Sequence, residues 1–370
     1  MSRRGEAMGK IDYKVAWQVA VTYIGTVVGA GFASGQEILQ FFSRYGERAL
    51  WGLGLATLLF FWCGDFVMRL GRSRDASTFK AVADHLFGVK LGRMVHIGLL
   101  IMLFGVTVAM LAGSGALFAE QVGLPFVVGA ILCALLTVVT LIGGLQGLMT
   151  ANLVIVPLMM GFIAFAFLYG LLWRHAAVLQ TVLPVHGAPL APGGWILSAA
   201  LYVGFNMGLS VTVLIPLGRI SMTRSTLATG AFLGALGLGA MLFMLHLLLA
   251  SFYPILSGYE IPIGQLITVL SKTLPGGALT SWLLRVGFVA VLWGEIFSTL
   301  LSNVYGLSAE LSGVFGRIQM VRIVVILTAA FAFCQIGFAH LVSYTYPIFG
   351  YAGLLLLILA IIRDRPSLRV

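Results

Sequence analysis

The sequence is built from apolar blocks of about 20 residues or more, the length that crosses a bilayer's hydrocarbon core, repeated along most of its 370 residues. Only 9% of the residues are charged, against roughly 25% in a soluble chain. A single water-soluble core of this length has no room for so much apolar surface. The predicted fold class is an all-α membrane protein with about ten transmembrane helices. The spans lie near 15–42, 49–69, 91–118, 125–142, 146–172, 195–218, 227–251, 281–307, 320–338 and 340–362.

The formal net charge of +10 raises nucleic-acid binding, but the basic residues sit in alternate loops, as the positive-inside rule demands. An N-terminus in the cytoplasm puts Arg69, Arg72, Arg74, Lys80, Lys90 and Arg93 inside, with Arg219, Arg224, Arg317, Arg322, Arg363, Arg365 and Arg369. Outside remain Arg44, Arg48, Arg174, Lys272 and Arg285. The expected localisation is the cell membrane, with both termini cytoplasmic and the lipid bilayer, not nucleic acid, as partner. The first apolar stretch has no small-residue cleavage site and reads as a retained span. Cys63, Cys133 and Cys334 lie in apolar blocks without metal-ligand spacing.

The polar, Pro-rich segment 173–194 divides the spans into two sets of five. Residues 1–14 form a cytoplasmic N-terminus, 15–172 a first repeat, 195–362 a second and 363–370 a cytoplasmic tail. An odd number of spans per half makes two related halves an inverted-topology repeat. Two connections carry helical patterns: 76–87, with Phe79, Val82, Ala83 and Leu86 on one face, and an outer stretch in 251–280 closed by Pro275, Gly276 and Gly277.

Span 1 places Gly25, Gly29, Gly31 and Gly35 within eleven residues. Glycine weakens a helix by up to about 1 kcal/mol relative to alanine, so the sequence predicts an unwound centre at 29–35. Backbone broken at membrane depth must face protein, water or ligand. Span 6 has its own soft centre, Gly204 to Gly208, with Pro216 beyond it. Interrupted helices 1 and 6 in corresponding positions point to a transporter binding site, where half-helix N-termini suit a carboxylate and exposed carbonyls a cation. The alternative is close helix packing, because Gly25 with Gly29 and Gly31 with Gly35 also have GxxxG spacing. Gln18, Thr22 and Thr26 share a face leading into the break, as do Ser198, Tyr202, Asn206 and Ser210 in span 6.

In span 8, Glu295 is followed by Ser298, Thr299 and Ser302 on one stripe. A carboxyl at this depth is costly and marks a functional site by default. Binding a cation, carrying a proton and a neutral structural hydrogen bond all remain open for it. Glu37, just past the first break, gates the mouth or pairs with Arg44 or Arg48. Asp65 and Arg69 form an i, i+4 anchor. There is no HExxH, GxSxG or GxxxxGK[ST] motif, so neither a hydrolase nor an ATP-driven pump has support.

The run Gly25–Phe42 resembles the opening helix of the bacterial YkvI-type membrane proteins, a group of candidate amino-acid permeases. That resemblance covers essentially the whole chain. More distantly, it is similar to five-plus-five inverted-repeat transporters with the LeuT fold. The resemblance implies a sodium ion as the one cofactor, held by carbonyls at Gly25 and Val28 and by Glu295, Ser298 and Thr299. It implies that Gly204 and Phe205 match the aromatic that covers the substrate. Gly29, Ala30 and Gly31 would bind a substrate carboxylate through backbone N–H groups, with Thr26, Tyr202, Phe205 and Asn206 shaping the pocket and Glu37 and Glu295 gating or coupling. Phe32 stands where the family has asparagine, Glu295 where it has a small residue, and span 5 lacks the lysine of proton-coupled relatives. The expected function is secondary active, cation-coupled symport of an amino acid, sodium favoured over proton. The rivals are a non-transporting germinant-receptor-like subunit and a membrane-embedded enzyme.

Overall fold

The computed structural model describes residues 11–76, 78–173, 194–220, 223–250, 256, 261–271, 277–313, 318–336 and 338–364. The expectations for 1–10, for the connection 174–193, for Pro275 and Gly276 and for 365–370 lie outside these residues. In chain order, α1 (Tyr13–Val27), α2 (Ala30–Ser34) and α3 (Gln36–Phe41) divide the first apolar block. There follow α4 (Arg48–Ser73), α5 (Phe79–Leu117), α6 (Phe126–Leu141) and α7 (Gly144–Trp173). Beyond the central connection come α8 (Gly194–Ile220), α9 (Arg224–Ala250), the short α10 (Pro262–Ser271), α11 (Gly277–Glu310), α12 (Gln319–Phe333) and α13 (Phe338–Arg363). Six of these, α4, α5, α7, α8, α9 and α11, are long and apolar enough to cross a membrane, and α6, α12 and the end of α13 are shorter apolar helices. The chain is a multi-pass α-helical membrane protein.

Local chemistry sets the element ends. Asp12 caps α1 by accepting from the Lys14 and Val15 N–H groups at 3.0 and 3.1 Å. Gly88, at φ 77°, bends α5 so that its first two turns lie apart from the spanning part. Those turns are the helix expected at 76–87, and Phe79, Val82, Ala83 and Leu86 are all buried. The Glu310 carboxylate at the end of α11 accepts from the N–H groups of Phe79 and Lys80, the latter at 2.9 Å, and meets His96 Nε2 at 3.0 Å. The inner helix is therefore tied to span 8. Asp65 and Arg69 form the expected pair at 2.9 Å, worth about 1 kcal/mol or less at such exposure. The amphipathic helix expected in 251–280 is α10, which buries Ile263, Leu266 and Ile267.

The helix pairings come in matched sets. α1 packs on α9 as α8 packs on α4; α1 on α7 as α8 on α13; α5 on α6 as α11 on α12; α7 on α11 as α13 on α5. Each half of the chain thus repeats the other's neighbours. The result is one group, α1, α4, α8 and α9, set against a second, α5, α6, α11 and α12, with α7 and α13 along the seams.

Span 6 departs from expectation. α8 is a single helix from Gly194 to Ile220, with Pro216 inside it and no interruption at 204–208. Its glycines are packing glycines. A Cβ on Gly204 would lie 2.7 Å from the Leu354 backbone N, one on Gly353 would collide with the Gly204 carbonyl, and one on Gly208 would lie 2.8 Å from Met102 Cε. The polar side chains bond within the helix: Asn206 Nδ2 donates to Tyr202 O at 2.9 Å and Ser210 Oγ to Asn206 O at 2.8 Å. Close approach of α13 therefore holds α8 straight where glycine content alone predicted a break. Overpacking costs typically about 1–3 kcal/mol, so Gly353→Val lowers the thermal unfolding midpoint in detergent. Gly161→Ala, which meets nothing within 4 Å, leaves the midpoint unchanged or raises it.

Candidate functional site

The break in span 1 is present and sharper than the sequence implied. Val28 (φ −77°, ψ 131°) and Gly29 (φ −144°, ψ −168°) are extended, and α2 starts at Ala30. A helix end leaves its last carbonyls without intrahelical donors. The Val28 N–H still reaches Ile24 O at 2.9 Å. The carbonyls of Gly25 and Val28 instead accept from α11: Ser298 Oγ at 2.9 Å and Thr299 Oγ1 at 2.5 Å. Ser298 Oγ also lies 2.7 Å from Asn152 Oδ1 of α7.

Five oxygens from three helices are gathered in two neighbouring sets: Gly25 O and Asn152 Oδ1 at Ser298 Oγ, and Val28 O at Thr299 Oγ1. All of their residues are buried. They hold two hydroxyl protons between them, and Ser298 has one proton for two acceptors. A cluster of neutral oxygens short of protons suits a hard cation. Turning the Asn152 amide over lets its NH2, which has no partner among the described residues, donate to Ser298 instead. Asn152 can thus serve a filled or an empty cradle. The glycines make the approach possible. A Cβ on Gly25 would lie 2.6 Å from the Asn152 side chain, and one on Gly29 2.9 Å from Thr299 Oγ1. Packing glycine and broken helix, weighed as alternatives in the sequence, are here one feature.

Of the set assigned to a sodium ion, the structure brings Gly25, Val28, Ser298 and Thr299 into contact. Glu295, on the same helix, is fully buried, and its two carboxyl oxygens have no hydrogen-bond partner among the described residues. Thr26 turns back on its own helix, donating to Tyr23 O at 2.8 Å. Asn152 was missed; its signal was an amide well inside the apolar run of span 5.

On the far side of the break, Gly35 at φ 86° separates α2 from α3, and Ile263 of α10 packs against it. Glu37 is 3% exposed and folds back so that its carboxyl occupies the space a Gly31 side chain would need. Neither Arg44 nor Arg48 pairs with it among the described residues, which corrects the ion pair weighed from the sequence. Tyr202 of α8 lies beside this carboxyl, and Tyr346 of α13 is within its electrostatic reach. Tyr202 is boxed by Phe42, Phe41 and Phe60 at ring-centroid distances of 5.0, 5.4 and 5.9 Å, and Phe205 lies 4.4 Å from Tyr346. An apolar cleft lined by Ala33, Phe162, Leu248, Ile263, Phe288 and Leu292 runs beside α2. Among the described residues, no His, Cys, Asp and Glu cluster of the kind that holds a transition metal occurs.

No family model matches the chain. Over 343 residues it is 30% identical to the uncharacterised membrane protein YkvI of Bacillus subtilis (strain 168), covering 92% of this chain and 93% of that protein. The chain belongs to the YkvI family. This YkvI-family fold also matches solved structures: a Na+-coupled sialic acid symporter in a substrate-bound outward-open state (TM-score 0.69, 12% identity, 92% of this chain and 78% of that one), and MhsT in complex with L-phenylalanine (TM-score 0.69, 14% identity, 92% and 88%). The likeness establishes the LeuT fold.

In this YkvI-family chain, Gly25→Ala drives a methyl into Asn152 and lowers the unfolding temperature. Adding Asn152→Ala recovers most of the loss. A double-mutant cycle on thermal stability yields a coupling of roughly 0.5–3 kcal/mol; additive losses would show that the two residues do not meet.

Proposed function

We propose that this protein is a secondary active transporter that carries a small zwitterion, an amino acid, in symport with sodium by alternating access. The observation that carries this reading is the five-oxygen cradle at Gly25, Val28, Asn152, Ser298 and Thr299. It lies where α1 of one helix group meets α11 of the other, with α7 at the seam. A cation there bonds both groups at once and so biases how they sit against each other, which is what coupling requires. The two groups, α1, α4, α8 and α9 against α5, α6, α11 and α12, are the bodies that rock. Ten spans and cytoplasmic termini complete the arrangement.

The substrate sits at the break. Its carboxylate takes the backbone N–H groups of Gly29, Ala30 and Gly31, since the first turn of α2 has donors without intrahelical acceptors. Tyr202 and Phe205, both buried, form the wall for its side chain. Asn206 holds that wall in place through its bond to Tyr202 O. Glu295, next to the cradle in sequence and without a hydrogen-bond partner among the described residues, adjusts the charge balance of the cation site.

Purified protein is heated in sodium or in choline. Binding to the native state adds about 2.7 kcal/mol when the ion is at about 100 times its Kd, so sodium raises the unfolding midpoint of the wild type. In Ser298→Ala with Thr299→Ala the rise disappears. An unchanged sodium response in that variant would remove the site. Uptake driven by a proton gradient without sodium, and lost in Glu295→Gln, would transfer coupling to Glu295.

A further inference from the structure

Glu37 is a buried acid that the cation cradle does not use. Its carboxyl is seated by construction. Gly35 in the left-handed region starts α3 at an angle to α2, and Gly31 leaves open the volume the carboxyl fills: a Cβ there would lie 2.8 Å from Glu37 Cγ and 2.9 Å from Cδ. The side chain is thus held over the backbone of α2, next to the N–H groups assigned to the substrate carboxylate. Oε2 is buried and has no partner among the described residues, nor does any basic side chain there pair with Glu37. Leaving one buried charge without its opposite typically costs about 3–5 kcal/mol, so the carboxyl either keeps its proton or is completed by a cation that arrives from outside the chain.

The surroundings say which kind. Tyr202 of α8, boxed by Phe41, Phe42 and Phe60, lies beside the carboxyl, and Tyr346 of α13, with Phe205 against it, is within its electrostatic reach. Ring faces attract organic cations, whereas a hard metal ion requires several oxygens, and the oxygens gathered by this fold are at the Ser298–Thr299 cradle. One carboxylate among aromatic rings is a receptor for an ammonium group. An acid lacking an amine would place like charges together there.

We propose that Glu37 receives the ammonium group of the substrate. The substrate class is then primary amines, amino-acid zwitterions included, and acids without an amino group are excluded. The proposal rests on the reading of the α1–α8 region as the substrate site.

The test uses matched probes with purified protein in sodium: L-leucine, isopentylamine and isocaproate, and L-phenylalanine, phenethylamine and hydrocinnamate. At millimolar concentration, amine-bearing members of at least one set raise the unfolding midpoint and the matched acid does not. Glu37→Gln keeps the sodium response, which shows that it is folded, and loses at least about tenfold in amine affinity; Glu37→Asp recovers part of it. Stabilisation by the acids as strong as by the amines, an unchanged amine affinity in Glu37→Gln, or no stabilisation by any amine overturns the assignment. Amine binding without uptake into proteoliposomes supports the ammonium site and removes transport. Uptake of the acids alone does the reverse.

Discussion

A helix that stops inside a membrane leaves carbonyls that lipid cannot satisfy, and the rest of this structure answers that constraint. At Val28 the chain leaves helical geometry in a fully buried position. The exposed carbonyls are met by two hydroxyls of α11, and one of these, Ser298 Oγ, also meets an amide of α7. Contact this close is possible because Gly25 and Gly29 have no side chains. Helix end, glycines and hydroxyl pair therefore work as a unit.

The repeated neighbour pattern makes the contrast between the halves informative. α1 meets α7 and α11 at the cradle; the matched place in the second half is where α8 meets α13 and α5. There the glycines meet backbone and apolar side chains instead: Gly204 faces the Leu354 backbone, Gly353 the Gly204 carbonyl and Gly208 Met102. Asn206 and Ser210 turn their hydrogen bonds inward along α8. One seam gathers buried hydroxyl, amide and carbonyl oxygens and the other backbone and apolar side chains, and the proposed cation site rests on that difference.

This difference also explains what the sequence could reveal. Blocks of apolar residues showed a multi-pass helical membrane chain, because crossing a bilayer fixes length and hydrophobicity. The break in span 1 was legible because four glycines in eleven residues leave little helix propensity. Glycines in span 6 gave a false signal, since glycine content cannot say whether a partner backbone lies alongside; only coordinates bring Leu354 and Gly353 to it. Gly25, Val28, Ser298 and Thr299 were found through a resemblance and their spacing. Asn152 and Tyr346 were not, because each enters from a helix distant in sequence and no motif marks it. The fold of Glu37 over Gly31 depends on the left-handed turn at Gly35, which residue order alone does not fix.

The most direct measurement is a high-resolution density map of the protein in lipid nanodiscs, compared between sodium and choline. A sodium-coupled site gives a discrete ion peak in sodium among Gly25 O, Val28 O, Asn152 Oδ1, Ser298 Oγ and Thr299 Oγ1, lost in choline. Identical maps, with both hydroxyls still bonded to the α1 carbonyls and no density between them, would contradict it.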